Sequence, residues 1–304
     1  MMPWERNDTA VVIQTPAKLN LFLEVVGKRD DGFHDLQTVI TPIDCFDRLA
    51  IATKEGNEDN SISLNCCWEK GLVGSSDVEL FLGKLPPSTD NLVFKAAELF
   101  RTRCGIYRGL DIELIKSIPS QAGLGGASSN AAGTLLALNE LFETNLSIAT
   151  LLEWSAELGS DVPFFVESKL AMCEGRGEIV SSLSQTLELF LVVVKPEFGL
   201  STPEIFAHLE IDKARRKLPQ DFDQQKDFDW SGNLFNRLQH AVEKTTPEIT
   251  RICQTLVDLG CTASLMTGSG SCCYGICESA DQADEIAGKY SSSNSGFVFT
   301  CRNL

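Results

Sequence analysis

The chain has 304 residues, 43% of them hydrophobic and 22% charged, with a formal net charge of −16. This composition excludes disorder and low complexity for the bulk of the chain, and the length predicts two domains rather than one core. The acidic balance speaks against nucleic acid and anionic membrane as partners, because both are polyanions; any anionic ligand must then be met by a local cluster of donors.

The opening "MMPWERNDTA" has no apolar run and does not read as a signal peptide. No later run is long enough to span a bilayer, so a cytoplasmic protein is expected. "AVVIQTPAKLNLFLEVVGKR" predicts two strand segments joined at Thr15–Pro16, "RDDGFHDL" a turn, and "LQTVITPIDCFDRLAIAT" more strand. Residues 54–62 read as a charged loop, and 65–80 are weakly patterned. "STDNLVFKAAELFRTRCG" predicts a helix capped by Ser88, Thr89 or Asp90 and stopped at Gly105. "GLDIELIKSIP" alternates as a strand with Ile112, Leu114 and Lys116 on one face. A glycine-rich loop and a helix to about Glu143 follow, then a helix "SIATLLEWSAELG". "LFLVVVKPEFGLST" is a buried strand, and 209–232 a polar surface excursion. "NLFNRLQHAVEK" and "PEITRICQTLVDLG" predict helices, "ASLMTGSGSCCYGIC" a strand–turn–strand, and "SADQADEIAGKY" the last helix. The eleven cysteines are scattered without a Cys-x-x-Cys pair. They suggest neither a zinc site nor a disulfide scaffold, but small buried hydrophobes in a reducing compartment.

The informative stretch is "IPSQAGLGGASSNAAGTLLALNEL". Gly123, Gly125 and Gly126 remove side chains between a strand and a helix, so backbone N–H groups can approach a ligand. Ala127 is nearly as small, and Ser128 and Ser129 bring hydroxyls to the helix start. The first turn of a helix has unpaired N–H groups and partial positive charge, which together make a phosphate site. The bland alternative is a turn whose serines cap the helix. The spacing fits neither the dinucleotide fingerprint nor the Walker A loop.

"PSQAGLGGASSNAA" resembles the second motif of the GHMP kinases, P-x-x-x-G-L-G-S-S-A-A. "PAKLNLFLEVVGKRDDGFHDLQTV" and "GSDVPFFV" resemble the signatures of one branch, the 4-diphosphocytidyl-2-C-methyl-D-erythritol kinases. "VVVKPEFGLST", "NLFN" and "LMTGSGSCCYGI" follow in the order of that family's later motifs. The resemblance implies an α+β fold of two domains. One is a ribosomal-protein-S5-like, ATP-binding domain over 1–172. The other is ferredoxin-like, over 173–304, with the last strand or helix packing back on the first domain. It implies transfer of the γ-phosphoryl group of ATP, with Mg²⁺ held mainly by phosphates, to a cytidine-diphosphate sugar alcohol. Oligomeric state stays open between monomer and homodimer.

The resemblance also implies roles. Asp161 matches the catalytic aspartate, which accepts or orients the hydroxyl proton. Lys18 matches the catalytic lysine, and Asn20, two residues on, shares its side of the strand. His34 falls where the family reads the cytosine ring; Phe33 replaces the usual tyrosine and keeps only the stacking face. Phe206 matches a second aromatic over the base, or is ordinary core. Asn91, Lys116, Pro119, Leu124 and Asn130 join the glycine loop on the nucleotide side. Gly268, Ser269 and Gly270 form a second glycine turn, either a donor nest near substrate phosphates or a plain hairpin. No protein ligand for a metal is assigned.

Overall fold

Long apolar alternation in the N-terminal third builds long antiparallel strands. The computed structural model describes residues 2–55, 60–74, 77–209, 215–225 and 228–304. β1 (Trp4–Arg6) pairs with β2 (Ala10–Lys28), and β2 with β3 (His34–Thr53), both antiparallel. The two segments expected around Thr15–Pro16 are therefore one strand of 19 residues. Pro16 removes a ladder donor, and the register shifts between Pro16 and Ala17, between Asn20 and Phe22, and between Val25 and Gly27. Such bulges bend a long strand without breaking it. β4 (Ile62–Trp68) lies in the weakly patterned region and pairs parallel with β5 (Leu110–Lys116), which pairs antiparallel with β3. Leu110, Ile112, Leu114 and Lys116 all turn inward, as the alternation predicts.

After the short, unburied α1 (Val78–Phe81), four helices pack with this sheet: α2 (Leu92–Cys104), α3 (Gly126–Leu141), α4 (Ile148–Leu158) and α5 (Val162–Glu167). Val93 and Phe100 of α2, Leu135 and Leu138 of α3, Trp154 of α4 and Phe164 of α5 join Ile13, Ile51 and Ile112 in one core. The cap of α2 is Asn91, whose side chain accepts from Val93 N; Ser88–Asp90 form a 3₁₀ turn before it. Gly105 follows the helix in the left-handed conformation expected of a stop.

β6 (Ala171–Gly175) pairs with β3, and β7 (Ile179–Ser182) with β6. A boundary after residue 172 thus falls inside β6, because backbone pairing keeps this hairpin in the first sheet. We propose the stretch between Ser182 and Phe190, where the chain changes sheets, as the division. β8 (Phe190–Lys195) opens the second sheet, followed by α6 (Thr202–Ala207) and α7 (Trp230–Asn233). β9 (Phe235–Asn236) returns to the first sheet beside β2, and α8 (Arg237–Glu243) starts at once. A single helix over "NLFNRLQHAVEK" is therefore corrected: Phe235 packs its ring 5.8 Å from that of Phe22, and Asn236 caps α8.

α9 (Pro247–Asp258), β10 (Ala263–Met266), β11 (Cys273–Cys277), α10 (Ala280–Ser293) and β12 (Phe297–Arg302) complete the chain. The second sheet has the order β10-β11-β8-β12, all antiparallel, the split arrangement of ferredoxin-like domains. The chain end packs back on β3: Leu304 N donates to Pro42 O at 3.0 Å, and Asn303 bridges to Ile43.

The expected surface excursion over 209–232 is only partly one. Phe222 and Trp230 are buried and pack with Phe228, rings 4.9–6.1 Å apart; three aromatics scattered among charges carry no periodicity. Residues 210–214 and 226–227 of this stretch lie outside the described residues, as do 56–59 of the charged loop and 75–76.

Candidate active site

The site grows from segments far apart in the chain that meet at one cavity. A cavity of about 1520 Å³ is lined by the start of α3, by β2 and β3, by the start of α5, by α6 and by the turn between β10 and β11. Every residue expected at the site lines it except Ser129, which is fully buried and has no hydrogen-bond partner for its hydroxyl among the described residues. Ser129 faces the core one helical position past Ser128, so its hydroxyl is not presented to the cavity.

The glycine loop lines the cavity, but its glycines are small for a second reason. Gly123 has φ +75°, and a Cβ there would stand 2.1 Å from the Thr267 carbonyl oxygen. A Cβ on Gly125 would meet the Phe165 ring at 2.8 Å and Lys18 Cγ at 3.0 Å; one on Gly126 would meet Ile118 at 2.9 Å and Lys116 Nζ at 3.1 Å. On the side where each Cβ would stand the neighbour is packed protein, while the three glycines still line the cavity with their backbone. The loop is pinned to β2, where Lys18 N donates to Leu124 O at 2.9 Å. What it offers a ligand is its rim: Gly125, Gly126, Ala127 and Ser128 at the positive end of a 16-residue helix.

Lys18 and Asp161 converge. Lys18 Nζ lies 3.8 Å from Asp161 Oδ2 and donates to Asn20 Oδ1, the neighbour that strand alternation places on its side. Lys18 is 4% exposed and Asp161 41%. Burial lowers the Lys18 pKa below 10.5, with the Asp161 charge opposing. The nearby Cys173 thiol is pushed up to about 12, chiefly by burial, so the ammonium faces one anion, not two. Asp161 occupies the cap position of α5 yet makes no side-chain capping bond. Its carboxylate is paired with Lys18 and lines the cavity instead.

Lys116 lines the cavity from a buried network that the sequence did not reveal. Its ammonium pairs with Asp47 and donates to Asn130 Oδ1 at 2.9 Å, while Asn130 Nδ2 donates to Thr15 Oγ1 at 2.7 Å and to Asp47 Oδ2 at 2.9 Å. Asp47 also accepts from Ser117 N and Ile118 N at 2.7 and 2.9 Å, fixing the strand that leads into the glycine loop. A buried charge needs such a set of partners.

The second glycine turn is tied to both halves. Asn236 Nδ2 donates to Met266 O and Gly268 O at 2.7 and 2.8 Å. Asn20 N donates to Thr267 Oγ1 at 3.1 Å, and Tyr274 Oη donates to Asn20 O at 2.9 Å. Ser269 Oγ sits 2.7 Å from Thr202 Oγ1 at the start of α6, so this turn is more than a plain hairpin. Gly270 completes its cavity edge.

At the far end, His34 and Phe206 stack with ring centroids 4.9 Å apart and planes at 26°. Two aromatics flanking an open slot were expected; these rings instead cover each other's apolar faces. Phe33 is half exposed, with the Arg176 guanidinium 4.9 Å from its ring centroid. Burial and the Lys28 charge lower the His34 pKa below 6.5, so its ring is neutral at pH 7, with one donor and one acceptor nitrogen.

Residues 91–169 match the GHMP kinases N terminal domain, and residues 214–295 the GHMP kinases C terminal. The chain is 34% identical over 276 residues to the 4-diphosphocytidyl-2-C-methyl-D-erythritol kinase of Macrococcus caseolyticus, covering 89% of this chain and 92% of that one. It is 35% identical over 289 residues to that of Pelotomaculum thermopropionicum, covering 93% and 95%. A crystal structure of 4-(cytidine 5'-diphospho)-2C-methyl-D-erythritol kinase superposes with TM-score 0.76 at 28% identity, over 96% of this chain and 98% of that one. A homoserine kinase from Cytophaga hutchinsonii shares the fold, with TM-score 0.66 at 14% identity, over 97% and 95% of the two chains. The fold is thus the α+β GHMP kinase fold, and the chain belongs to the GHMP kinases and, within them, to the 4-diphosphocytidyl-2-C-methyl-D-erythritol kinase family.

Proposed function

We propose that this chain transfers the γ-phosphoryl group of ATP to the 2-hydroxyl of 4-diphosphocytidyl-2-C-methyl-D-erythritol, a step of non-mevalonate isoprenoid synthesis. The observation that carries the reading is the Lys18–Asp161 pair, 3.8 Å apart, in the same cavity as the start of α3 and the His34–Phe206 pair. Phosphoryl transfer needs positioning, charge stabilisation and a proton acceptor. Asp161 takes or orients the hydroxyl proton. Lys18 pairs with Asp161 and offsets charge on the moving phosphoryl group. Asn20 orients the hydroxyl beside them.

ATP is held with its phosphates at the rim of Gly125 to Ser128, with Asn91 and Lys116 on the nucleotide side. Asn91 spends its side-chain oxygen on capping α2 and contacts the Cys66 thiol through its side chain, which fixes its amide at the cavity wall on the nucleotide side. Mg²⁺ bound with the nucleotide would be held chiefly by phosphate oxygens and water and would supply charge neutralisation there. The cytosine stacks on Phe33 and His34 reads its edge, with Phe206 stacked on the His34 ring and holding it in place. Among the described residues no helix is long and apolar enough to cross a membrane.

The defining assay mixes the protein with ATP, Mg²⁺ and the cytidylyl substrate and follows ADP. Turnover with homoserine or mevalonate but not with the cytidylyl compound would overturn the substrate assignment. Nucleotide binding with no turnover on any of them would point to a regulator on the kinase fold.

Two further results are expected. His34→Ala raises KM for the cytidylyl substrate at least about fivefold, because an unpaired polar edge costs about 1–3 kcal/mol; KM for ATP stays put. An unchanged substrate KM would remove His34 from the base pocket. The pH profile of kcat should fall on its alkaline side below pH 10.5, since burial lowers the Lys18 pKa and the ammonium is the working form. As pH rises through that lowered value, the charge is lost. A limb that persists unmoved in Lys18→Arg would belong to another group, because guanidinium does not titrate in this range.

A further inference from the structure

We propose, on the reading that the cavity takes a cytidine-diphosphate alcohol, that Arg176 grips the substrate's diphosphate. Such a substrate is built in the order base, ribose, diphosphate, alcohol. With the base at Phe33 and His34 and the alcohol at Asp161, the diphosphate must lie between them. The β6–β7 turn bridges those two points. At one end, a Cβ on Gly177 would stand 3.6 Å from Asp161 Oδ1 and from the Ser160 carbonyl oxygen. At the other, the guanidinium of Arg176 lies over the Phe33 ring.

The remaining lining cations are committed or misplaced. Lys116 is paired with Asp47, and Lys18 with Asp161. Lys84 has its ammonium 3.9 Å from Glu79, and Lys28 stands on the base side, paired across the strands with His34. Arg176 is different. Its nearest carboxylate, Glu178, is 3.7 Å from Nε, beyond hydrogen-bond length, and Glu178 instead accepts from the Arg176 backbone N–H at 2.6 Å. That bond fixes the turn; the guanidinium is ion-paired with Glu178 through Nε but makes no side-chain hydrogen bond to a described residue, so its Nη edge is the part presented for a planar, bidentate hold on phosphate oxygens. In a chain of net charge −16, such a hold needs a dedicated cation at this spot.

The test compares inhibition of the full-length enzyme by CDP and by cytidine, which differ in the diphosphate alone. In Arg176→Gln the CDP inhibition constant should rise about tenfold or more, the size of a lost charge-assisted hydrogen bond. The cytidine constant should stay within about twofold, and KM for ATP should not change. Arg176→Lys should recover part of the CDP affinity. Equal losses for CDP and cytidine would make Arg176 a stacking residue for the base and overturn the proposal; so would no loss for either. A parent enzyme that neither binds CDP nor turns over the cytidylyl substrate would overturn the functional reading itself, a result visible before any variant is made. Wild-type KM for ATP and an unshifted Tm in each variant separate a lost grip from a lost fold.

Discussion

Asp161→Asn lowers kcat by about 10²–10⁴-fold, the contribution of a positioned proton acceptor, while the affinity for a nonhydrolysable ATP analogue stays within a few-fold of the parent. The substitution keeps the shape of the side chain and removes both its charge and its basicity. The neighbouring ammonium suffers as well. Lys18 is 4% exposed with Asp161 as its paired carboxylate, and its pKa is already lowered by burial. Without the Asp161 charge the ammonium loses its paired carboxylate and keeps the Asn20 amide oxygen, so the alkaline limb of the pH profile moves to lower pH in the variant. ATP affinity is spared because the phosphate rim belongs to α3, not to α5. The measurements are single-turnover rates with the cytidylyl substrate and direct titration with the analogue. A kcat within tenfold of the parent would take Asp161 out of proton transfer; a matching loss of analogue affinity would make it a nucleotide ligand.

The parts of the site that the sequence made legible are those set by local rules. Strand alternation put Lys18 beside Asn20 and turned Lys116 inward. A glycine run between a strand and a helix located α3, and a glycine stop located the end of α2. Local rules did not reveal groups whose partners come from far along the chain. Asp47 meets Lys116 across 69 positions, and Thr267 meets Asn20 across 247; neither pairing leaves a trace in periodicity. Thr267 sits beside the glycine turn without any pattern to single it out, and Arg176 reads as an ordinary hairpin residue. The same limit explains the misread aromatics. Sequence placed Phe33, His34 and Phe206 at one end of the cavity, but whether rings flank a slot or cover each other is a matter of tertiary packing. Asn91 escaped for a different reason: its capping of α2 is local chemistry, which the neighbouring Ser88, Thr89 and Asp90 obscured by offering the same side-chain types.

Gly123→Ala should be the most destabilising single-methyl change in the loop, and the reason is protein, not ligand. Two costs combine. A residue with a Cβ held at φ +75° pays roughly 1–2 kcal/mol for the left-handed conformation. The new methyl would also stand 2.1 Å from the Thr267 carbonyl oxygen and 3.2 Å from Gly270 N. Those are backbone atoms, held by Asn236 and by the bond from Cys272 N to Ala122 O, so no rotamer change relieves the clash; overpacking of this kind costs about 1–3 kcal/mol. Gly105→Ala is the control, since Gly105 has φ +65° and nothing within 4 Å of the added atom, and it should show the backbone cost alone. Gly125→Ala should behave differently again. Its methyl meets side chains, the Phe165 ring and the Lys18 stem, so it displaces the catalytic ammonium and lowers kcat more than it weakens ATP binding. Urea midpoints for the three variants, with kcat and analogue affinity for Gly125→Ala, decide the matter. A Gly123→Ala midpoint shifted no further than that of Gly105→Ala would mean that the contact with Thr267 yields easily. A Gly125→Ala loss confined to ATP affinity would return the loop to the simpler view, in which its glycines are small only to admit phosphate.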